Sequence, residues 1–348
     1  MNKKSKHILV LRFSAMGDVA LLTPVVKSFV SSYPEHRITV VSRPKFSAFF
    51  SNKLNVKFFP ADVDKMYSGF TGLIKLFIQL QKQDPGLIID VHDHLRSQLI
   101  CFLFRLSGIP VVRFNKGRKE KNQITRRENK MRSELPHTVE RYRDAFLKAG
   151  FNFEIVNPPY IDVSDETQVK LEAWLKERAL TKNEPWIGLA PFAAHKTKIW
   201  PVENYFRLVE SSLANSNSKF FMFGGGDNEI TFFKKLIDQF PNNCIVVAGE
   251  LSIGEELALI KRLDKMLCVD SSNMHLAALV GIPTVSLWGG THPSTGFGPF
   301  GNVNHNIIQI GTDKLPCRPC SVYGKNSCWR GDFACLNEIP VEQILASL

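Results

Sequence analysis

Short runs rich in branched and aromatic residues recur along the chain, and between them apolar positions return every three to four residues. In the first half the short runs are "HILVLRF" (7 to 13), "RITVVSR" (37 to 43), "VKFFPA" (56 to 61), "GLIIDVH" (86 to 92) and "PVVRF" (110 to 114). Each reads as a buried strand. Stretches such as "FTGLIKLFIQLQKQ", with Leu73, Phe77 and Leu80 on one face, read as helices, and Val19 to Val26 as the opening of another. The alternation stops at "NPPY" (157 to 160), a proline pair that suits a linker, and then restarts. "WIGLAP" (186 to 191), "KFFMFGG" (219 to 225), "CIVVAG" (244 to 249), "KMLCVD" (265 to 270) and "TVSLWGG" (284 to 290) are the second set. Strands separated by crossover helices pair in parallel, so the pattern predicts an α/β protein of two doubly wound domains, residues 1–158 and 159–348. Ligands of such sheets bind beyond the carboxyl ends of the strands, which places the substrate in a cleft between the halves.

A chain of 348 residues fits two domains of ordinary size, and 44% hydrophobic with 22% charged residues is a globular composition. Basic residues precede the first apolar run in the manner of a signal peptide. Arg12 cuts that run short, no small-residue cleavage site follows, and the segment reads as the first strand of a cytosolic protein. No uncharged stretch is long enough to span a bilayer. The net charge of +11 calls for an acidic partner. Its richest segment, residues 113 to 132, carries nine basic and two acidic side chains. That segment reads either as a solvated mobile loop or as an anion-binding surface. Nucleic acid is disfavoured, because no aromatic beyond Phe114 interleaves the charges.

Two turns carry the chemistry. After the strand that ends at Asp270, the residues Ser271, Ser272 and Asn273 open a helix that stops at Gly281. The free N–H groups there favour an anion, although serine also caps helices without one. The next strand ends in "WGGTHPSTG", a second turn with room for a phosphate to approach backbone. His275 reads equally as a core histidine or as an orienting group. In the first half, Asp18 follows Gly17 at the mouth of the first strand-to-helix turn; alone it reads as a helix cap.

Five blocks, "FSAMGDVALLTP", "DVHDHLRSQ", "HTVERYRDAFLKAG", "KIWPVENYFRLV" and "DSSNMHLAALVGIPTVSLWGGTHP", stand in the order and at about the separations seen in bacterial lipopolysaccharide heptosyltransferases. The chain thus resembles glycosyltransferase family 9 over nearly its whole length. The resemblance implies a GT-B architecture of two Rossmann-like domains, the first holding an acceptor and the second a nucleotide sugar, with the ADP form expected. It implies Asp18 as general base and Lys198 as the diphosphate-binding cation. Donor contacts fall on Gly17, Glu229, Asp270, Ser271, Ser272, His275, Gly289 and Thr291, and acceptor contacts on Arg96, Arg113, Lys116 and Arg118. Ser272 stands where the family usually has glycine.

An acceptor hydroxyl is a poor nucleophile, and a leaving diphosphate gathers negative charge. A carboxylate base and a cradle of fixed donors answer the two needs. No Asp-x-Asp motif lies in the donor blocks, so no catalytic metal is expected. "DVHDH" (90 to 94) alternates His92 and His94 with carboxylates, and a structural role is favoured over a metal there. Four cysteines crowd the tail: Cys317, Cys320, Cys328 and Cys335. One C-x2-C pair fits structural zinc, but the second pair is spaced by six residues, and reduced thiols are preferred. The expected activity is inverting transfer of a heptose or related sugar to an anionic glycolipid at the cytoplasmic membrane face. The rivals are a nucleotide-sugar epimerase of similar shape and a non-catalytic nucleotide-sugar or polyanion-binding module.

Overall fold

The first apolar run forms β1 (His7–Leu11), buried along its whole length. It must be, because β1 is the middle of a five-stranded parallel sheet, ordered β3-β2-β1-β4-β5, with β2 (Arg37–Ser42), β3 (Lys57–Pro60), β4 (Leu87–Asp90) and β5 (Val111–Arg113). Ile8 stands opposite Ile38 on one side and Leu87 on the other. The crossovers are α1 (Met16–Ala20) and α2 (Thr23–Ser32), α3 (Gly69–Gln81) and α4 (Leu95–Leu106). The single helix expected from Val19 breaks at Leu21 and Leu22, because Pro24 near the start of α2 has no N–H with which to continue α1. Thr23 Oγ1 donates instead to the Ala20 carbonyl (2.8 Å). The computed structural model describes residues 6–50, 56–301 and 303–348, so the first five residues of the basic N-terminal run lie outside it.

Two compact units divide these residues, and the division differs from the expected boundary at the proline pair. The first unit holds residues up to Lys116 and then Thr138–Ser164, including α6 (Thr138–Lys148); the second holds Gly117–His137 and Asp165–Leu348. Past the prolines, Tyr160 and Ile161 are buried, and Lys27 Nζ donates to the Pro159 carbonyl (2.8 Å) and pairs with Asp162 (3.3 Å), which keeps this stretch in the first unit. From Gly117 onward the basic segment goes to the second. It forms α5 (Arg118–Thr125) rather than a loop. Lys121 Nζ lies 4.6 Å from the ring centre of Phe297 and 5.7 Å from that of Tyr323, and Lys130 Nζ lies 4.8 Å from that of Trp329. Leu135 N–H donates to the Ser294 carbonyl (2.8 Å). Aromatics distant in sequence supply the partners that the segment itself lacks.

The second unit carries a six-stranded parallel sheet ordered β11-β10-β9-β6-β7-β8. In chain order it runs α7 (Asp165–Glu177), β6 (Trp186–Ala190), α8 (Asn204–Leu213), β7 (Lys219–Met222), α9 (Asp227–Gln239), β8 (Cys244–Val246), α10 (Ile253–Ile260), β9 (Lys265–Val269), α11 (Ser272–Val280), β10 (Thr284–Trp288) and β11 (Asn306–Gln309). All ten expected strands are present. The eleventh is an edge strand with Asn306 and Ile307 exposed, too short and too polar to register as a buried run. Trp200, fully buried, anchors "KIWP" in the core and donates to the Ile339 carbonyl (3.2 Å).

Candidate functional site

In each sheet the strand order reverses beside the first strand, and Asp18 in the first unit and Lys198, Asp270 and Ser271 in the second lie at those two points. In the first unit the reversal lies between β1 and β4, where Leu11 stands opposite Asp90. Asp18 sits in the first turn of α1, three residues past the N-cap Ala15, and its Oδ2 accepts the Ala15 N–H (3.2 Å), so it supports the helix start from inside the first turn and is not itself the N-cap. Its Oδ1 takes a second partner, Arg12 Nη2, at 2.8 Å. Arg12, nearly buried, also donates to the Val91 carbonyl (2.7 Å) and so ties the ends of β1 and β4 together. Each carboxylate oxygen has two lone pairs, so Asp18 keeps acceptor capacity for a hydroxyl. Sequence reading missed Arg12 as a site residue. A lone charge ending an apolar strand needs an anion, and that was the available signal.

The "DVHDH" turn is knitted by Asp90. Its Oδ1 accepts the His92 and Asp93 N–H groups (2.9 Å each) and its Oδ2 the Ser97 hydroxyl (3.0 Å). Burial raises the Asp90 pKa above the usual carboxylate range, and burial followed by the nearby Arg12 charge lowers that of His92 to about 2. His92 is therefore a neutral imidazole, with Nδ1 buried and without a hydrogen-bond partner. The acceptor cations fall in three places. Arg96 joins Arg43 on Asp64 (3.0 and 2.7 Å) and holds that carboxyl below its ordinary range. Arg113 pairs with Asp93 (3.4 Å), and Lys116 donates to the Asp93 carbonyl (2.6 Å). Arg118 opens α5 and belongs to the second unit, not with the other three.

In the second unit the reversal lies between β6 and β9. Lys198 ends the short turn Lys196–Lys198 after β6, Asp270 directly follows β9, and Nζ meets Oδ2 at 2.8 Å with both side chains largely shielded. Ser271 is the N-cap residue of α11, yet its Oγ makes no capping bond and is buried without a hydrogen-bond partner. Ser272 is the first helical residue, and His275 is buried one turn on. Thr291 is fully buried, its Oγ1 likewise without a partner. A cation, two buried hydroxyls and the free N–H groups of a nine-residue helix thus lie on the carboxyl-end rim of one sheet.

Two donor assignments have structural explanations. A Cβ on Gly289 would stand 2.6 Å from the Thr197 carbonyl and 2.5 Å from Leu336 Cγ, so this glycine admits the neighbouring chain. Glu229, in the first turn of α9, uses Oε2 to accept the Gly225 N–H (2.9 Å) and leaves Oε1 for a further donor.

Arg318 was missed altogether. Fully buried, it donates to the carbonyls of Gly289 (2.5 Å), Trp288 and Thr291 (3.0 Å each) and Ile310, and to Gln309 Oε1 (2.9 Å). Beside it, Gly290 N–H donates to the Thr197 carbonyl (2.8 Å), and the Gly290 carbonyl accepts from Cys320 N–H (2.9 Å). The tail therefore clamps the turns that carry Lys198 and Thr291. All four tail cysteines are free thiols. Cys320 and Cys335 are buried, with burial pushing Cys335 up to about 12, and Cys317 packs with Leu315, Ala334 and Leu336. Among the described residues, no group of three or more His, Cys, Asp or Glu is placed to hold a metal ion.

The model of glycosyltransferase family 9 (heptosyltransferase) matches residues 73–328. The chain belongs to that family. This family 9 enzyme is 20% identical to the lipopolysaccharide core heptosyltransferase OpsX of Haemophilus influenzae, over 88% of this chain and 84% of that one. It matches the crystal structure of a family 9 glycosyl transferase from Veillonella parvula with a TM-score of 0.77 at 19% identity, over 99% and 97% of the two chains. The Escherichia coli heptosyltransferase WaaC with ADP matches at 0.67 and 18%, over 98% and 99%. The two parallel-sheet units are those of the GT-B fold. Family membership decides for glycosyl transfer over the epimerase and the silent binding module.

Proposed function

We propose that this family 9 glycosyltransferase moves a heptose or closely related sugar from an ADP-linked donor to a lipopolysaccharide-core-like anionic glycolipid, inverting the anomeric centre. The carrying observation is the Lys198–Asp270 pair below Ser271 and the start of α11. Asp270 fixes the lysine, and the ammonium, the buried Ser271 and Thr291 hydroxyls and the helix N–H groups supply the positive cradle that a departing diphosphate requires. Glu229 Oε1 is left to take a ribose hydroxyl. Asp18, held by Arg12 and Ala15, accepts the proton of the attacking hydroxyl, while neutral His92 and the cations Arg96, Arg113 and Lys116 receive the acceptor. That relatives act on lipopolysaccharide and one is seen with ADP supports this choice of substrates. Among the described residues no helix is long and apolar enough to cross a membrane, and the lipid-anchored acceptor is reached from the cytoplasmic face.

The test is thermal stabilisation by ADP-, GDP-, UDP- and dTDP-sugars. A ligand at a hundred times its Kd adds about 2.7 kcal/mol, so the ADP-sugar raises the melting temperature of the second unit, and Lys198→Ala abolishes the rise. Indifference to every nucleotide, or an equal rise in the variant, defeats the proposal.

A further inference from the structure

The first unit carries an apolar face that the fold does not use. Helices α3 and α4 pack against each other and bury Leu73, Leu76, Leu80, Ile100 and Phe104 in one cluster. On their outer sides stand Phe70 (67% exposed) and Ile78 (45%) of α3 and Leu95 (77%), Phe102 (54%) and Leu106 (70%) of α4. The spacings 70, 78 and 95, 102, 106 set each group on one stripe, pointing away from the sheet. Ordinary exposed apolar residues are scattered singly; these are gathered on two adjacent helices. The charge carried by the two helices themselves has one sign. From Lys65 to Gln83 and from His94 to Lys119 there is no Asp or Glu, in a chain with 33 of them. Lys75 and Lys82 border the α3 stripe, and Arg105 borders that of α4.

We propose that the outer face of α3 and α4 docks the enzyme on an anionic lipid bilayer, with Phe70, Phe102 and Leu106 entering the interface and Lys75, Lys82 and Arg105 meeting headgroup phosphates. A second copy of the chain is the wrong occupant, since a symmetric contact would set the same acid-free basic rim against itself. An anionic leaflet complements both parts, the apolar stripe and the cations. The basic segment, read from sequence as a solvated loop or an anion-binding surface, has Lys121, Lys130 and Arg132 engaged within the second unit. The proposal gives the route to the lipid-anchored acceptor and rests on the proposed function only for that acceptor's identity.

Flotation of the full chain is measured with vesicles of phosphatidylethanolamine and phosphatidylglycerol (roughly 3:1) and with phosphatidylcholine vesicles, without sugar donor or glycolipid. The expected result is flotation with the anionic vesicles only, weakened at least about tenfold by the triple variant Phe70→Ser, Phe102→Ser, Leu106→Ser and roughly fivefold per residue by Lys75→Gln, Lys82→Gln and Arg105→Gln. Unchanged melting and an unchanged ADP-sugar shift certify that the variants are folded. Absence of flotation by the native chain, equal flotation by the triple variant, or a dimer in light scattering that the triple variant dissolves would each overturn the inference. Failure of the ADP-sugar shift with flotation still dependent on the patch would sink the donor assignment alone.

Discussion

Asp18 both supports the helix start and pairs with Arg12, and a neutral isostere keeps the first duty while removing the charge that serves the second and the base that takes the proton. Asp18→Asn keeps an acceptor for Ala15 N–H, so it is expected to lower kcat by about 10²–10⁴ while leaving nucleotide-induced stabilisation intact. Steady-state rates beside a thermal shift check both halves of that statement. At Lys198 the two duties are coupled. Lys198→Met leaves the Asp270 carboxylate shielded and unpaired, which is expected to cost about 3–5 kcal/mol, and adding Asp270→Leu should restore most of the lost stability without restoring turnover. Denaturant curves for the two single variants and the double variant close the cycle. Asp18 and Lys198 are singled out through the family resemblance, since alone the first reads as a helix cap, and Ser271 through its place at a helix start, where a cap and an anion site read alike. Arg318 was not legible, because its partners are mostly backbone carbonyls, which have no signature in a sequence, whereas Arg12 did leave a signal, a charge at the end of an apolar strand.

At the scale of elements, periodicity and turn residues located the ten main strands, since buried parallel strands are continuous apolar runs. The half-exposed edge strand β11 and the tail lacked that pattern. What the tail does follows from Arg318, whose five acceptors lie at the ends of β10 and β11 and in the turn between Trp288 and Thr291. Arg318→Met is expected to strand those carbonyls in a buried place and to lower stability by roughly 3–5 kcal/mol, together with a loss of nucleotide binding through displacement of Thr291. Urea unfolding and the ADP-sugar shift are the measurements. Gly289→Ala tests the same junction by crowding. Its new methyl meets the Thr197 carbonyl and Leu336, and a loss of about 1–3 kcal/mol is expected, with donor affinity recovered at low temperature if the glycine is there for packing alone.

For the whole molecule, buried histidines set the acid limit. Burial, with Arg318 next in weight, lowers the His292 pKa to about 4, and that of His92 lies near 2. Both are neutral in the fold and protonate near pH 6.5 once unfolded, so the unfolded chain binds more protons below that pH and stability falls as pH drops from 6.5 toward 4. The slope is on the order of 1 kcal/mol per pH unit for each group, and His292→Gln is expected to flatten it in melting curves over that window. Asp90, whose pKa burial raises, opposes the trend, because the fold holds its proton more tightly than the unfolded chain does. The assignment of the basic segment to the second unit bears on how the protein can be taken apart. A gene cut at the proline pair would leave each fragment defective: the leading one would trail some twenty residues severed from Phe297, Tyr323 and Trp329, and the other would lack the strip that covers those rings. Neither piece is expected to fold cleanly when expressed alone, whereas the two produced together should reassociate through that strip.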